Sequence, residues 1–561
     1  MAANRLLGIT LVVLCSVYTA AAFTVYPSLY PDPAAGFAVR KSMASGAAWN
    51  HMIEPRSDDI SRDRAYFYAT WSPGQYAVPG LVADLGLTLG RALTVVCVFA
   101  SLIGLSGWLL LFRTLGFDWT TTLACGVLIA ASRTFNLSFL TYVGSDLLAF
   151  AAFPIIAVAA YRLRHSWLLV PAAPVLVIVG FFLKNSMAIY VGSWILCVGV
   201  TDAWRSTGSI RGVAGRLVAT VTAIAAAVVF VQWTYVSRGW TPVSYESSWS
   251  LAPAVYLLPW VMPLLAATSV DDVLSRIFLR PGQAWYDYKS STPFLLPLAM
   301  ATLAFVVQVV RRRSQQVATL ESVSFAGVVV AAFTYLYATG SGASLSLSRH
   351  YLIPGFVLLP LLVHRIMNMP RSGVRGVLVV VLAAPCLYGA LSFASNWRRH
   401  YEHRTVHSAD VQVTHLMLTP RLVDFLKSLD RTLPGGSSLV VIPAPEYALE
   451  FSRTRVLATS VISDSVDKMR DTRRFGAVGN LMVIAEREGM TDEAISTWLA
   501  SFQSYDPTRW EYLEADGFRF YVPVAQAVNR TWLAAMWDAV ERSPDEFTAG
   551  GRGSRHGGTR F

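Results

Sequence analysis

The sequence has few charged residues. Asp, Glu, Lys and Arg make up 14% of the 561 residues, whereas an ordinary soluble domain carries about 25%. Hydrophobic residues make up 54%, and the mean hydropathy is +0.46. This composition excludes a water-soluble globular protein and predicts an integral membrane protein that contacts membrane lipid.

Cysteine is also scarce, with five residues in the chain. All five lie inside apolar segments, and no two have the close spacing that a metal site needs. Disulfides and structural zinc are therefore not expected. The sequence also lacks a P-loop and a Gly-rich dinucleotide fingerprint, so it contains no recognisable nucleotide-binding motif.

The net charge of +11 does not indicate a nucleic-acid partner. The arginines stand in short clusters between apolar runs rather than on one basic face. Such clusters are typical of cytoplasmic loops of membrane proteins. We interpret them as topology signals.

About eleven apolar runs are predicted to span the membrane, because a membrane helix needs about 20 mostly apolar residues. They extend from Leu6 to Phe23, Leu93 to Phe112, Thr120 to Ala131, Leu147 to Ala160, Trp167 to Leu183, Ala188 to Val200, Leu217 to Tyr235, Phe294 to Val310, Val323 to Tyr337, Leu352 to Val363 and Val377 to Phe393. The first run resembles a signal peptide, but the later runs favour an uncleaved anchor.

The arginine clusters predict the orientation of the chain. All the clusters lie on the same side of the membrane as Arg5 only if the apolar stretch from Leu251 to Ala267 does not cross it and is re-entrant or interfacial. The prolines of this stretch predict a broken segment. The N-terminus is then cytoplasmic and everything after Asn396 is extracytoplasmic. A bacterial inner or plasma membrane fits this orientation.

Three parts are predicted. Residues 1–395 form a transmembrane domain with long outer loops at 24–82 and 236–292. Residues 396–548 form a small extracytoplasmic α/β domain, and the Gly- and Arg-rich tail 549–561 is predicted to be disordered. In the α/β domain, strands are predicted at Ser438 to Ile442, Arg455 to Ala458, Leu481 to Ala485 and Phe518 to Val522, and helices at Pro420 to Leu429 and Asp492 to Phe502.

Four single basic residues lie on the predicted outer side, where such residues are uncommon. They are Arg133, Lys184, Arg238 and Arg349. Each alone is explained equally well by snorkelling to lipid headgroups. Because cations near helix ends also bind phosphate, the four together favour an anionic, lipid-like ligand.

Two carboxylates stand at the predicted starts of helices. Asp32 precedes Pro33, which predicts a helix from Pro33 to about Ser45 with Asp32 as its N-cap. The same ionised carboxylate could instead accept a proton from an attacking hydroxyl, although the residues alone rank capping first. Asp146 opens an apolar run, where capping is at least as good an explanation as catalysis.

Acidic residues in the first outer loop leave one cofactor question open. Asp58 and Asp59, with Asp63, could bind a divalent cation through oxygen ligands, but the spacing of a calcium loop is absent. A solvated acidic loop is the simpler interpretation. A metal requirement therefore remains unknown at this stage.

Four motifs, in this order, resemble the GT-C superfamily of membrane glycosyltransferases, in the branch of the protein O-mannosyltransferases and the lipid A aminoarabinose transferases. They are Asp32-Pro33-Ala34-Ala35-Gly36-Phe37, Trp71-Ser72-Pro73-Gly74-Gln75-Tyr76, Gly144-Ser145-Asp146 and Ser348-Arg349-His350-Tyr351-Leu352-Ile353-Pro354. Together they extend over most of the membrane region. The chain departs from the family because a His separates Arg349 from Tyr351 and no Asp-Glu pair stands at the Asp32 site.

The resemblance implies a polytopic α-helical GT-C fold and an inverting glycosyltransferase. A hexose or pentose would move from a polyprenyl-phosphate donor to a glycan, lipid or protein acceptor on the extracytoplasmic side. Asp32 would be the catalytic base, and Arg349, Lys184 and Tyr351 would bind the donor phosphate. Further candidates for substrate binding are Asp146, Asp58, Asp59, Trp71, Arg133 and Arg238.

Two other classes of function remain open from the sequence. A lipid or polysaccharide transporter or flippase would also have many apolar helices, although transporters usually contain internal repeats, which this sequence lacks. A non-catalytic membrane assembly protein is the other class. Such a scaffold would keep its function after Asp32→Asn, whereas an enzyme would lose transfer.

Overall fold

Helices make up most of the chain in the computed structural model. The structure describes residues 2–55, 63–205, 210–239, 253–278, 288–311, 319–339, 348–370, 372–434, 437–442, 444–458, 480–486, 492–499, 508, 510–524 and 526–542. The chain forms two compact units. We call Met1–Phe23, Cys97–Leu140 and Ser145–Trp397 the helical unit, and Thr24–Val96, Thr141–Gly144 and Arg398–Phe561 the mixed unit.

The helices and strands follow one another along the chain with short connections in most places. In the described residues the helices are α1 (Ala2–Ala22), α2 (Pro31–Ala44), α3 (Gly74–Ala83), α4 (Leu89–Thr114), α5 (Trp119–Ala131), α6 (Arg133–Leu137), α7 (Ser145–Leu163), α8 (Leu169–Leu183), α9 (Met187–Arg205), α10 (Ile210–Thr234), α11 (Pro253–Thr268), α12 (Val270–Phe278), α13 (Tyr288–Arg311), α14 (Thr319–Ala338), α15 (Leu352–Met367), α16 (Gly373–Glu402), α17 (Pro420–Thr432), α18 (Pro445–Ala448), α19 (Asp492–Leu499) and α20 (Arg530–Arg542). The strands are β1 (Ser28–Leu29), β2 (His51–Pro55), β3 (Asp63–Phe67), β4 (Thr141–Tyr142), β5 (Ser438–Ile442), β6 (Arg455–Ala458), β7 (Asn480–Glu486), β8 (Trp510–Ala515) and β9 (Phe518–Pro523).

Apolar helices confirm the prediction of an integral membrane protein. Seven helices among the described residues are long and apolar enough to cross a bilayer, namely Ala2–Ala22, Leu89–Thr114, Ser145–Leu163, Met187–Arg205, Gly212–Arg238, Thr319–Ala338 and Gly373–Glu402. Shorter apolar helices are Trp119–Ala131, Leu169–Leu183, Val255–Thr268, Leu295–Arg311 and Leu352–Met367. Each predicted apolar run therefore coincides with a helix.

Helix α11 corrects one prediction. The prolines between Leu251 and Ala267 predict a broken segment, but α11 is continuous and contains Pro259 and Pro263 in its interior. The prediction of a break was wrong, because tertiary packing can override a local preference. Helix α11 packs against α15 at Gly355. A Cβ atom on Gly355 would lie 1.9 Å from the carbonyl oxygen of Pro263.

The core of the helical unit is aromatic. Trp108 of α4 is fully buried, and its ring lies 5.2 Å from Phe356 of α15. Phe153 of α7 stacks on Phe325 of α14 at 5.5 Å. By contrast, only 11% of the apolar stretch within Gly212–Arg238, which includes most of α10, is buried. Such exposure is expected of a helix that faces lipid rather than protein.

The mixed unit contains a five-stranded sheet in the order β6-β5-β7-β9-β8. Strands β6, β5 and β7 are parallel, and β9 is antiparallel to β7 and β8. All five residues of β5 are buried, as expected of a parallel strand covered on both faces. The sheet confirms the predicted C-terminal α/β region, although the sequence reading missed β8 and α20.

The described residues of the segment predicted as the first outer loop, 24–55 and 63–82, fold with the C-terminal part of the chain in the mixed unit. In the mixed unit, the β2–β3 hairpin is joined to β6 by Arg455, whose Nε donates to Asp63 Oδ1 at 2.9 Å. The backbone N–H of Thr414 donates to the carbonyl of Pro27 at 3.1 Å. A segment that the sequence presents as a loop between spans thus belongs to a compact unit containing the sheet.

Candidate functional site

Three charged side chains meet in the helical unit. Lys184 Nζ donates to Asp146 Oδ1, and Arg349 Nη1 lies 3.4 Å from Asp146 Oδ2. The exposed fractions of the side chains are 10% for Lys184, 16% for Asp146 and 24% for Arg349. We call these three residues the Asp146 cluster.

Each member of the Asp146 cluster stands at the end of an apolar helix. Asp146 lies in the first turn of α7. Lys184 is the C-cap of α8, and Arg349 lies in the 3₁₀ turn Ser348–His350 that precedes α15. Charged groups are excluded from apolar helix interiors, so helix ends are where such residues can gather.

The Asp146 cluster carries a surplus of positive charge. Its two cations share one carboxylate, which gives a formal net charge of +1 when all three groups are ionised. The side chains are mostly buried, and charge interactions are stronger there than in bulk water. This arrangement can bind an anionic group such as a phosphate, with Arg349 able to donate two parallel hydrogen bonds.

His350 anchors the turn that carries Arg349. Its Nδ1 lies 2.7 Å from the hydroxyl of Tyr337, its carbonyl accepts a 2.8 Å hydrogen bond from Tyr190, and its ring stacks on Phe333 at 5.2 Å. Burial, followed by the nearby Lys184 charge, lowers the pKa of His350 to about 3. The imidazole is therefore neutral near pH 7.

Sequence reasoning missed the part played by His350. The resemblance marks it only as an interruption between Arg349 and Tyr351. Phe333 and Tyr337 stand four positions apart, on one face of a helix. This pair of aromatic residues was the feature of the sequence that could have indicated a packing site for His350.

Tyr351 lies behind this turn. It is fully buried at the N-cap position of α15, and its ring lies 5.8 Å from Phe333 and 6.3 Å from Tyr337. Burial raises the pKa of the Tyr351 phenol above its ordinary value. The predicted part of Tyr351 in phosphate binding remains a prediction.

Asp32 lies in the mixed unit and is half-buried. Helix α2 begins at Pro31, so Asp32 stands inside the first turn, and Tyr30 takes the N-cap position without a side-chain hydrogen bond. The prediction of a helix starting at Pro33 with Asp32 as N-cap was therefore wrong. Two prolines stand in the first turn, and proline is favoured at the first helical position, so Pro31 can start the helix.

Gln75 connects the Asp32 turn to the second motif. Its Nε2 donates to the backbone carbonyl of Asp32 at 3.2 Å. The backbone carbonyl of Gln75 accepts a 2.6 Å hydrogen bond from the Tyr142 hydroxyl. Gly144 has a φ of +66°, and a Cβ there would lie 3.1 Å from both Gln75 Oε1 and Pro33 Cβ. The mixed unit therefore brings together residues of the first three motifs. Sequence reasoning quoted Gln75 within a motif but assigned it no function.

The remaining basic candidates lie apart from this arrangement. Arg133 Nη1 pairs with Asp272 Oδ1 at 3.0 Å, and its Nε donates to Ser392 at 3.2 Å. Arg238 is exposed in the 3₁₀ turn Val236–Arg238.

The other candidates come from the first outer loop. Trp71 is half-buried in the bend before α3, while Asp58 and Asp59 lie outside the described residues. In the part of the chain that the structure describes, no group of three or more His, Cys, Asp or Glu side chains could hold a metal ion. The predicted roles of Asp32 as base and of Arg349 as a phosphate ligand remain predictions.

Comparison with solved structures identifies similar folds. The apo structure of ArnT from Cupriavidus metallidurans superposes with a TM-score of 0.51 at 14% identity, covering 94% of this chain and 99% of that chain. The structure of the same ArnT bound to undecaprenyl phosphate gives 0.48 at 13% identity with the same coverage. Arabinofuranosyltransferase AftD from Mycobacteria gives 0.39 at 12% identity, covering 91% of this chain and 40% of that chain.

Sequence comparisons do not extend this result. No protein-family model matches the chain, and neither does any curated protein. At 14% identity, the superposition on apo ArnT is a statement about fold. The chain therefore has the fold of ArnT, which is the GT-C fold that the sequence predicts.

Proposed function

We propose that this protein is a membrane glycosyltransferase that moves a sugar from a polyprenyl-phosphate donor to an acceptor hydroxyl on the extracytoplasmic side. The observation that carries the proposal is the Asp146 cluster, in which Lys184 and Arg349 share one carboxylate at helix ends. The donor's tail partitions into lipid and its phosphate needs cations near the interface. A chain with apolar helices and this cluster meets both requirements.

The donor phosphate binds to Arg349 and Lys184 in this proposal. Arg349 provides a planar fork of donors suited to phosphate oxygens, and Lys184 provides a compact charge. Tyr351 lies two residues after Arg349 in the chain and is assigned to the same site. ArnT, whose apo structure shares the fold, has also been solved bound to undecaprenyl phosphate, and we propose a lipid phosphate of this class for the present chain.

Asp32 is the proposed base. Its position in the first turn of α2 places it among backbone N–H groups that favour the ionised carboxylate. The hydrogen bond from Gln75 to the Asp32 carbonyl holds this turn. An ionised carboxylate can take the proton of an acceptor hydroxyl as that hydroxyl becomes a nucleophile.

The reaction is a single displacement. The acceptor oxygen forms a bond to the anomeric carbon while its proton passes to Asp32. The bond between the anomeric carbon and the phosphate oxygen breaks, and its electron pair leaves with the lipid phosphate. Lys184 and Arg349 stabilise the charge that develops there, and attack opposite the leaving group inverts the anomeric centre.

The test uses the full-length protein in lipid nanodiscs. Polyprenyl-phosphate sugars with a labelled sugar are added together with an extract of the cell envelope as acceptor, and release of free polyprenyl phosphate is measured. Asp32→Asn should lower the rate by about 10²-fold or more, because the base is lost. Glu402→Gln is the matched control, since Glu402 is exposed and its side chain pairs with the exposed Arg398.

Two results would contradict the proposal. One is a wild-type protein that releases lipid phosphate from none of the sugar donors offered. The other is an Asp32→Asn variant that transfers as fast as Glu402→Gln and the wild type. The second result is the behaviour expected of a non-catalytic assembly protein.

A further inference from the structure

The Asp146 cluster has a feature that phosphate binding alone does not require. If its only task were to attract a phosphate, Lys184 and Arg349 would attract it more strongly without Asp146. The carboxylate instead contacts both cations, through Oδ1 to Lys184 and through Oδ2 to Arg349. It reduces the formal charge of the cluster from +2 to +1.

The two lipids that the proposed reaction handles differ in charge. A polyprenyl-phosphate sugar is a phosphodiester with one negative charge. The polyprenyl phosphate that leaves is a monoester, and such a group carries about −1.5 to −2 at pH 7 because its second pKa is about 6. A cluster of charge +1 therefore matches the donor, whereas a cluster of charge +2 would match the product.

We propose that Asp146 sets the charge selectivity of the lipid-phosphate site, favouring the monoanionic diester donor over the dianionic monoester product. This inference deepens the proposed function and rests on it. By keeping the site at +1, Asp146 prevents the product from binding more tightly than the donor. Asp146 is thus a specificity-determining residue for the lipid.

Burial makes this selectivity effective. The side chains of Asp146, Lys184 and Arg349 are 16%, 10% and 24% exposed, so solvent screens their charges less than it would at the surface. Removing one charge from such a site changes the affinity of a dianion more than that of a monoanion. The remaining exposure leaves the cluster accessible to a ligand headgroup.

The test uses two lipid probes that differ only in charge. They are polyprenyl phosphate and its methyl ester, which is a diester of charge −1, and their dissociation constants are measured with full-length protein in nanodiscs at pH 8 and pH 5. At pH 8, Asp146→Asn should strengthen monoester binding relative to diester binding by about tenfold compared with the wild type. At pH 5 this difference should disappear, because both probes then carry one charge.

The protein groups around the cluster do not explain such a pH effect. His350 and Tyr190 are titratable groups that also face Asp146. The pKa of His350, lowered chiefly by burial, is about 3, and a phenol ordinarily titrates near pH 10. Between pH 5 and pH 8 these two groups keep their charge, whereas the monoester probe changes its charge.

A second variant should change the selectivity between monoester and diester in the opposite direction. Lys184→Gln lowers the cluster charge to zero and should shift selectivity toward the diester, and the double variant Asp146→Asn with Lys184→Gln should return it to the wild-type value. Glu321→Gln is the control, because Glu321 is also a buried carboxylate paired with an arginine, with Arg205 Nη1 2.6 Å from its Oε1. It should leave selectivity unchanged.

Each outcome decides the inference. Equal selectivity of Asp146→Asn and wild type at pH 8, or a shift that persists at pH 5, would overturn it while leaving the proposed transfer reaction in place. If Asp146→Asn does not fold, Lys184→Gln alone decides, and selectivity unchanged in that variant would also overturn it. A wild-type protein that binds neither probe would refute both this inference and the proposed function.

Discussion

At the scale of single residues, His350 determines where Arg349 can lie. His350 is neutral near pH 7, so it does not hold the turn Ser348–His350 by an ion pair. The turn is held by the hydrogen bond from Tyr190 to the His350 carbonyl and by the contact between His350 Nδ1 and the Tyr337 hydroxyl. A charged side chain is thus positioned by uncharged neighbours, as is common in preorganised sites.

We expect His350→Phe to weaken the binding of polyprenyl phosphate by about tenfold, which is the usual worth of one hydrogen bond. The substituted ring can still stack on Phe333, so the fold should be retained. Tyr337→Phe removes the same hydrogen bond from its other partner and should have a similar effect. The dissociation constants are measured in nanodiscs, and the two substitutions should not be additive.

The contrary result is additivity. If the double variant lost affinity equal to the sum of the two single losses, His350 and Tyr337 would act independently and would not hold Arg349 as a unit. The pH of the assay provides a further check. Because the pKa of His350 is lowered to about 3 by burial and by Lys184, its contribution should not change between pH 5 and pH 8.

Some residues of the candidate site could be recognised from the sequence and others could not. Lys184, Asp146 and Arg349 are recognisable because charged residues are rare next to apolar runs. Gln75 and His350 are uncharged near pH 7, and their contacts come from residues distant in the chain, namely Asp32 and Tyr190. Such contacts have no local signature.

At the scale of helices, α11 and α15 approach so closely that their contact requires glycine. A Cβ atom on Gly355 would lie 1.9 Å from the Pro263 carbonyl oxygen and 2.8 Å from Ala267 Cβ. The first of these atoms belongs to the backbone and cannot rotate away. Close approach of helices at small residues is a usual means of packing in membranes, where apolar side chains gain little by leaving lipid.

Gly355→Ala should therefore destabilise the protein by about 1–3 kcal/mol through overpacking, seen as a lower midpoint in thermal unfolding in detergent. Gly327→Ala is the matched control. Gly327 lies in the interior of α14, and a Cβ there meets nothing within 4 Å. Replacing it should leave stability unchanged or raise it by about 0.5–1 kcal/mol, because alanine favours helix more than glycine does.

A Gly355→Ala variant as stable as the wild type would show that α11 and α15 do not pack as the structure has them. The same pair of helices explains the wrong prediction for α11. A proline in a helix removes one hydrogen bond and predicts a break, but packing against α15 keeps the segment helical. The positions of the apolar helices were predictable because hydropathy acts locally, whereas the conformation at a proline depended on the partner helix.

At the scale of the whole molecule, the mixed unit is assembled from distant stretches of chain. Glu450 is fully buried, its Oε1 lies 2.8 Å from His415 Nε2 and its Oε2 lies 3.3 Å from Lys427 Nζ. Lys41 of α2 donates to the carbonyl of Phe451. Helix α2, whose first turn contains Asp32, is thereby attached to a buried ionic cluster in the C-terminal part of the chain.

This cluster predicts acid sensitivity of the mixed unit. Burial alone would raise the pKa of Glu450, but the His415 hydrogen bond and the charges of His415 and Lys427 lower it to about 2. An unfolded Glu titrates near pH 4.3. The stabilisation, up to about 3 kcal/mol, is present above that pH and is lost as the pH falls toward 2, because the unfolded state binds the proton first.

Hydrogen exchange of the amides from Phe451 to Thr454 provides the measurement. Protection of these amides should fall as the pH is lowered from about 4.5 toward 2 in the wild type, after correction for the intrinsic exchange rate. Glu450→Gln removes the titration and should flatten the dependence, while Glu402→Gln at an exposed site should behave like wild type. Wild-type protection that is constant across this range would contradict the assignment.

Residue patterns alone predicted the membrane class, the positions of the apolar helices among the described residues, four strands of the C-terminal sheet and the motifs that carry the resemblance. These follow from composition and periodicity, which act over a few residues. Four features emerged from the folded chain: α11 is continuous, the segment predicted as the first outer loop folds with the sheet, α2 starts at Pro31, and Lys184 and Arg349 share Asp146. These features depend on contacts between residues far apart in the chain, and such contacts form only when the packed elements bury them together.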